Sequence, residues 1–171
     1  MKDYKDTLLM PKTEFKMRGN LGNNEPKMQE LWNEQDLYNK RLEKNKDNTP
    51  YVLHDGPPYA NGHIHIGHAL NKILKDIVVK FKTMQGYNSP FVPGWDCHGL
   101  PVEYEIDKKL NITGRQMVLE MGVANYNAEC RGIVTRYTAE WEKTVTRLGR
   151  WIDFKNDYKT MDPNFMESVW W

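Results

Sequence analysis

From Gly56 to His68 the chain reads Gly56-Pro57-Pro58-Tyr59-Ala60-Asn61-Gly62-His63-Ile64-His65-Ile66-Gly67-His68, and a helical hydrophobic pattern begins at once. No other stretch constrains the fold as strongly. Two prolines between glycines exclude a regular element through this turn. Ile66, Ala69, Leu70, Ile73, Leu74, Ile77, Val78 and Phe81 then fall at i, i+3, i+4, i+7 spacing and predict an amphipathic helix, which Gly86 can stop. Lys72, Lys75, Lys80 and Lys82 occupy its other faces. Before the turn, Tyr51-Val52-Leu53 is apolar and partly β-branched, predicting a buried strand that ends at His54-Asp55. After the helix, residues 87–93 predict a second strand ending in Pro93-Gly94. Strand, turn, long helix, strand is a βαβ unit, which implies a parallel sheet with a right-handed crossover.

The flanking regions are mostly helical. Residues 1–23 read as an extended arm, with Pro11 and a turn-prone run from Arg18 to Asn24. A helix is predicted from Pro26, a residue suited to a first helical position, to about Lys44. Its inward face would carry Met28, Leu31, Trp32, Leu37, Tyr38 and Leu42. Beyond Gly99, helices are predicted over Pro101 to Leu110, Arg115 to Met121, and about Ala124 to Leu148. The last of these would turn Ile133, Tyr137, Trp141, Val145 and Leu148 inward. Asp162-Pro163, a capping residue followed by proline, starts one more. The chain stops at Val169-Trp170-Trp171, and two large rings at a free end lead us to expect a piece of a longer polypeptide.

Composition narrows the class. With 24 basic and 23 acidic residues, no global field draws the chain to nucleic acid or membrane. Hydrophobic residues make up only 39%, yet six tryptophans, nine tyrosines and five phenylalanines can fill a core. Cys97 and Cys130 make neither a disulfide framework nor a zinc ribbon and fit a reducing compartment. The start, Met1-Lys2-Asp3-Tyr4-Lys5-Asp6, is too polar for a signal peptide, and only Leu8-Leu9-Met10 follows. No run approaches the ~20 apolar residues of a membrane span. We expect a soluble cytoplasmic protein with no membrane partner.

Four of the five histidines, His54, His63, His65 and His68, crowd around the turn. One reading is a phosphate cradle. Backbone N–H groups at a helix start lack intrahelical partners and attract anions. His65 and His68 would donate hydrogen bonds to phosphate oxygens, most strongly as charge grows in a transition state. Gly67, having no Cβ, would let an adenine or ribose approach the backbone. A metal site is a second reading, but no carboxylate or cysteine stands at familiar zinc spacing. A third is ordinary turn and cap histidines. A P-loop is excluded, because His68 and Ala69 stand where Lys and Ser/Thr are required. Adenylate chemistry is the favoured reading. Asp96 follows a strand end beside Gly94, where open α/β sheets bind ligands; otherwise it is a turn or cap aspartate. Trp95 reads as core or pocket wall. Cys97 and His98 are sequence neighbours, which point apart and make a poor nucleophile–base pair.

Gly56-Pro57-Pro58-Tyr59-Ala60-Asn61-Gly62 followed by His65-Ile66-Gly67-His68-Ala69-Leu70-Asn71-Lys72-Ile73-Leu74-Lys75-Asp76 resembles the first signature of class I aminoacyl-tRNA synthetases, and within that class the isoleucine-specific members. Pro93-Gly94-Trp95-Asp96-Cys97-His98-Gly99-Leu100-Pro101, Leu148-Gly149-Arg150-Trp151 and Glu167-Ser168-Val169-Trp170-Trp171 extend the likeness over essentially the whole chain. Residues before about Pro101 resemble the common bacterial branch, and those from Pro101 onward the branch of eukaryotic cytosol and some bacteria. The resemblance implies an α/β fold: the first half of a Rossmann-like parallel-sheet catalytic domain over residues 49–171, truncated before the editing insertion. Helical additions follow residue 100, and an N-terminal arm and helix occupy residues 1–48. It further implies ATP-dependent activation of isoleucine and its attachment to tRNA(Ile), with Mg2+ accompanying ATP. Pro58, Tyr59, Ala60, Asn61, Gly62, His65, Gly67 and His68 would bind ATP, with His65, Gly67 and His68 at the reacting phosphate. Gly56, Pro57 and Asp96 would bind the amino acid. The Lys-Met-Ser-Lys-Ser loop and the zinc-binding tail of many relatives do not occur here, so zinc is not expected. Two alternatives stand beside this: a non-catalytic nucleotide-binding fragment, and another nucleotidyltransferase with the His-x-Gly-His motif.

Overall fold

The computed structural model describes residues 4–9, 14 and 16–171; Pro11, assigned above to the arm, lies outside them. Seven helices occur among the described residues. They are α1 (Leu21–Glu34), α2 (Leu37–Asn45), α3 (Ile66–Met84), α4 (Leu100–Leu110), α5 (Arg115–Met121), α6 (Val123–Arg147) and α7 (Pro163–Trp170). Two short strands, β1 (Gly94–Trp95) and β2 (Tyr158–Lys159), pair in parallel, and 3-10 turns cover Lys5–Thr7 and Phe154–Asn156.

The helix expected from Pro26 to Lys44 is two helices, and the first begins at Leu21. Asn20 and Asp36 adopt left-handed backbone, with φ of 45° and 50°, so each resets the chain ahead of a new helix. Short polar side chains tolerate this conformation by bonding locally. Here Asn23 Nδ2 donates to Asn20 Oδ1 and Asn39 Nδ2 to Asp36 Oδ1. Pro26 lies inside α1, where its missing N–H leaves only the exposed Gly22 carbonyl without a helical donor. Of the expected inward face, Met28 and Leu31 are exposed, while Trp32, Leu37, Tyr38 and Leu42 are half-buried.

The expected strands at 51–53 and 87–93 do not form as ladders. The two segments do lie alongside one another in parallel, touching by single bridges at Pro50–Asn88 and Tyr59–Asp96. Between those bridges stand Pro57 and Pro58 on one side and Pro90 and Pro93 on the other. None of the four can donate a ladder hydrogen bond. Pairing resumes where the prolines end. Asp96 N–H donates to Pro58 O at 2.8 Å, Ala60 N–H to Asp96 O, and Thr160 N–H to Trp95 O. The result is a small parallel sheet ordered 58–60, β1, β2, of which β2 was not anticipated.

Alternation along this sheet buries Ala60, Trp95 and Cys97 against Val102 of α4 and Val134 and Trp141 of α6. The Tyr126 hydroxyl, on α6, donates to Asp107 of α4 at 2.8 Å and holds the two helices together. Helices α4 and α5 keep the expected bounds within a residue, and α6 runs over the expected span. Helix α7 starts at Asp162-Pro163, but the Asp162 carboxylate accepts from Lys159 N–H rather than capping the helix.

Helix α3 has the expected length and ends at Gly86 (φ +91°), but its orientation inverts the pattern. Lys72, Asp76 and Val79 are buried, whereas Ile66 is 87%, Ile77 57% and Leu74 56% exposed. The inward stripe is held by polar bonds. Lys72 and Lys75 pair with Asp55, Lys80 pairs with Asp76 and donates to Gly149 O, and Asn45 and Arg41 of α2 bind Thr83. The apolar stripe is left largely exposed.

Candidate functional site

The turn that delivers the histidines is pinned by its neighbours. Trp141 Nε1–H donates to Gly62 O at 2.7 Å, Asn61 Nδ2 donates to Pro101 O, and His63 lies 3.0 Å from Glu140. A buried tryptophan needs an acceptor for its N–H, and α6 thereby fixes where α3 starts. Trp141 was read from sequence only as a core position; its polar edge was the available signal, but the acceptor was not legible. Ala60 turns its side chain into the core, so it can serve a ligand through backbone alone.

At the helix start, His65 is the N-cap. Its Nδ1 accepts from Gly67 N–H at 3.1 Å and His68 N–H at 3.3 Å, while His68 Nδ1 accepts from His65 N–H at 3.4 Å. This reciprocal arrangement is a capping box built from two imidazoles. It corrects the expectation of open backbone donors, because two of them are already taken by His65. The chemistry shifts to the ring edges. A neutral imidazole that accepts at Nδ1 carries its proton on Nε2. Both rings therefore present an Nε2–H donor, and they stack with centroids 3.5 Å apart. His68 also leans on Trp141, with centroids 4.8 Å apart. Burial lowers the proton affinity of His68, and the His65 and Lys72 charges lower it further, so the ring is neutral above its ordinary value of 6.5. Gly67 has a structural reason as well: a Cβ there would stand 3.1 Å from the His65 ring.

Lys72 follows one turn after His68 on the inward stripe. Burial alone would push the Asp55 carboxyl up, but the Lys75 hydrogen bond and the Lys72 charge outweigh it and hold it below the ordinary range. Desolvation lowers the Lys72 ammonium in turn. Neither residue was singled out from sequence, since a lysine on an amphipathic helix reads as solvated.

Gly56, Pro57 and Pro58 line a cavity of about 30 Å3, walled by Trp95, Trp141 and Phe154. That is room for about one water. An isoleucine side chain would need the turn to open. Asp96 does not line this cavity. Partners in a parallel bridge share a face, so Asp96 emerges beside Tyr59 on the side opposite the core. Its carboxylate has no hydrogen-bond or ion-pair partner among the described residues. Thus the structure joins the 58–62 segment to Asp96 and the imidazole pair to α6, with the Gly56–Pro57 cavity on the other side of the sheet. Cys97 is buried, its thiol pushed up by burial, and His98 is exposed, so the two do point apart. His63 turns to Glu140 and away from a shared metal site, and no group of three or more His, Cys, Asp or Glu converges among the described residues.

Residues 27–171 match the model of the family described as tRNA synthetases class I (I, L, M and V). The chain is 57% identical over 141 residues to a cytoplasmic isoleucine–tRNA ligase of Arabidopsis thaliana, covering 82% of this chain and 12% of that one. It is 49% identical to the isoleucine–tRNA ligase of Shewanella piezotolerans over 169 residues, covering 99% and 18%, and 51% identical to that of Staphylococcus epidermidis over 163 residues, covering 95% and 18%. It therefore spans less than a fifth of the length of these relatives. The crystal structure of an Agrobacterium radiobacter K84 AgnB2 LeuRS–tRNA–LeuAMS ternary complex superposes with a TM-score of 0.64 at 20% identity, over 86% of this chain and 16% of that one. The fold is shared.

Proposed function

Because this chain belongs to the class I tRNA synthetases of the I, L, M and V group, we propose that it forms the adenylate-facing part of an isoleucine–tRNA ligase. The reaction is ATP-dependent activation of isoleucine, followed by transfer to tRNA(Ile), in the cytoplasm. Curated relatives from a plant and two bacteria support the isoleucine assignment at 49% to 57% identity. The observation that carries the chemical reading is the imidazole capping box, which leaves two neutral Nε2–H donors stacked at one helix start.

In this proposal the isoleucine carboxylate attacks the α-phosphorus of ATP and pyrophosphate departs. A carboxylate is ionised at neutral pH, so no protein base or nucleophile is required. The protein aligns attacker and leaving group and answers the charge spreading over phosphate oxygens. His65 and His68 would do so through Nε2–H, with residues 58–62 as the floor for the nucleotide. Asp96, unpartnered and beside Tyr59, would take the ammonium of isoleucine. Gly56 and Pro57 would border its side chain once the turn opens toward the Asp96 side of the sheet. No group of three or more His, Cys, Asp or Glu converges among the described residues, and Mg2+ would enter with ATP.

Calorimetry tests this on the 171-residue chain, using a non-hydrolysable isoleucyl adenylate mimic. Saturable binding is expected, weakened about tenfold or more in His68→Ala and in Asp96→Ala, as loss of a charge-assisted hydrogen bond implies. Equal binding in both variants would refute the residue assignments. Binding of ATP with no preference for the isoleucyl mimic would favour a plain nucleotide-binding module.

A further inference from the structure

Beyond the imidazole pair, α3 meets the segment after α6 in a second cationic place. Arg150 lies with its guanidinium 4.2 Å from the centre of the Phe91 ring, and its Nη2 is buried with no hydrogen-bond partner. No ion pair to Arg150 occurs among the described residues. Burial lowers its proton affinity, while Asp76 and Asp55 oppose this from a distance. Arg150, Lys72 and Lys80 together line a cavity of about 220 Å3 whose walls include Ile77 and Leu148. The carboxylates nearby are already engaged. Asp55 serves both Lys72 and Lys75, and Asp76 serves Lys80 and the Trp151 N–H. Within the cavity lining one carboxylate, Asp76, faces three cations, Lys72, Lys80 and Arg150. An unpaired charge held out of water is costly unless a partner arrives.

We propose that this cavity is an oxyanion site, in which Arg150, flanked by Lys72 and Lys80, binds a phosphoryl or carboxylate group. The surplus of two positive charges in the lining matches a phosphate dianion, and hydrogen bonds between such ionised groups are the strong ones. Arg150 and Lys72 also border the Gly56–Pro57 cavity, so the site adjoins the proposed amino-acid pocket, but it shares no residue with the His65–His68 edge and is probed without any adenylate mimic.

Thermal unfolding of the 171-residue chain at constant ionic strength tests it, with chloride exchanged for inorganic phosphate or for acetate. Phosphate raises Tm in the parent chain and in His68→Gln, and the rise is lost in Arg150→Gln and reduced in Arg150→Lys. Each variant's Tm in phosphate is read against its own Tm in chloride; should Arg150→Gln fail to fold, Lys80→Gln carries the same comparison. Phosphorus NMR line-broadening gives the affinity, expected to fall about tenfold or more without Arg150. An equal rise with acetate keeps the site and makes its ligand a carboxylate. A phosphate effect that persists in Arg150→Gln is general salt stabilisation and overturns the proposal. So does an effect lost in His68→Gln but kept in Arg150→Gln, or no effect in the parent chain.

Discussion

His65 serves structure and chemistry with opposite edges of one ring. Its Nδ1 satisfies two backbone donors of α3, and that bond forces the proton onto the edge left for a ligand. The two roles separate by substitution. His65→Ala is expected to destabilise the chain by about 1 kcal/mol, the usual cost of losing an N-cap. His65→Asn supplies a capping oxygen and should recover most of that in urea unfolding. Neither variant should recover affinity for the adenylate mimic, because neither has an Nε2–H. Recovery of both properties in His65→Asn would show that the ring acts only as a cap. The motif residues were legible in the sequence, since two histidines astride a glycine at a helix start are chemically distinctive. The capping box was not, because histidine is not among the usual N-cap residues and its tautomer depends on geometry. Lys72 and Arg150 were missed for a related reason: only burial distinguishes a trapped cation from a solvated one.

At the level of elements, prolines decide where strands can exist. The 50–59 and 88–96 segments are parallel neighbours, as a βαβ unit requires, yet they pair only at their ends. Sequence pattern found the neighbours and placed the ladder wrongly, because hydrophobic runs mark burial whereas ladder bonds need N–H groups. Strand β2 was too short to leave a pattern. Its position is set instead by Gly94, where an added Cβ would fall within the Tyr158 ring of the paired strand. Gly94→Ala is therefore expected to cost about 1–3 kcal/mol by overpacking. Tyr158→Ala in the same chain should relieve much of that, giving a double variant less destabilised than the sum of the two singles. Strict additivity would mean that the ring does not rest on the glycine.

Across the whole molecule, the clearest helix of the sequence packs against the rest by its charged side. Periodicity predicted α3 and its end correctly, but periodicity does not say which stripe a chain of this length can cover. Here Asp55 and Asp76 draw the lysines inward and leave Ile66, Leu74 and Ile77 outside. Leu74→Glu with Ile77→Lys should accordingly leave stability within about 0.5 kcal/mol, as for other surface changes, while lowering binding of an apolar dye. A loss above about 2 kcal/mol would place these side chains in a core. The same inward stripe runs from His68 through Lys72 to Asp76, so α3 positions the candidate site with the face that a simple amphipathic reading assigns to solvent.

The decisive measurement is long-range proton–nitrogen NMR of His65 and His68, recorded across pH with and without the isoleucyl adenylate mimic. Both rings should be Nε2–H tautomers with Nδ1 accepting from backbone, His68 should take up a second proton only below pH 6.5, and both Nε2 signals should move when the mimic binds. Nδ1–H tautomers, or Nε2 signals indifferent to a bound mimic, would contradict the role assigned to the imidazole pair.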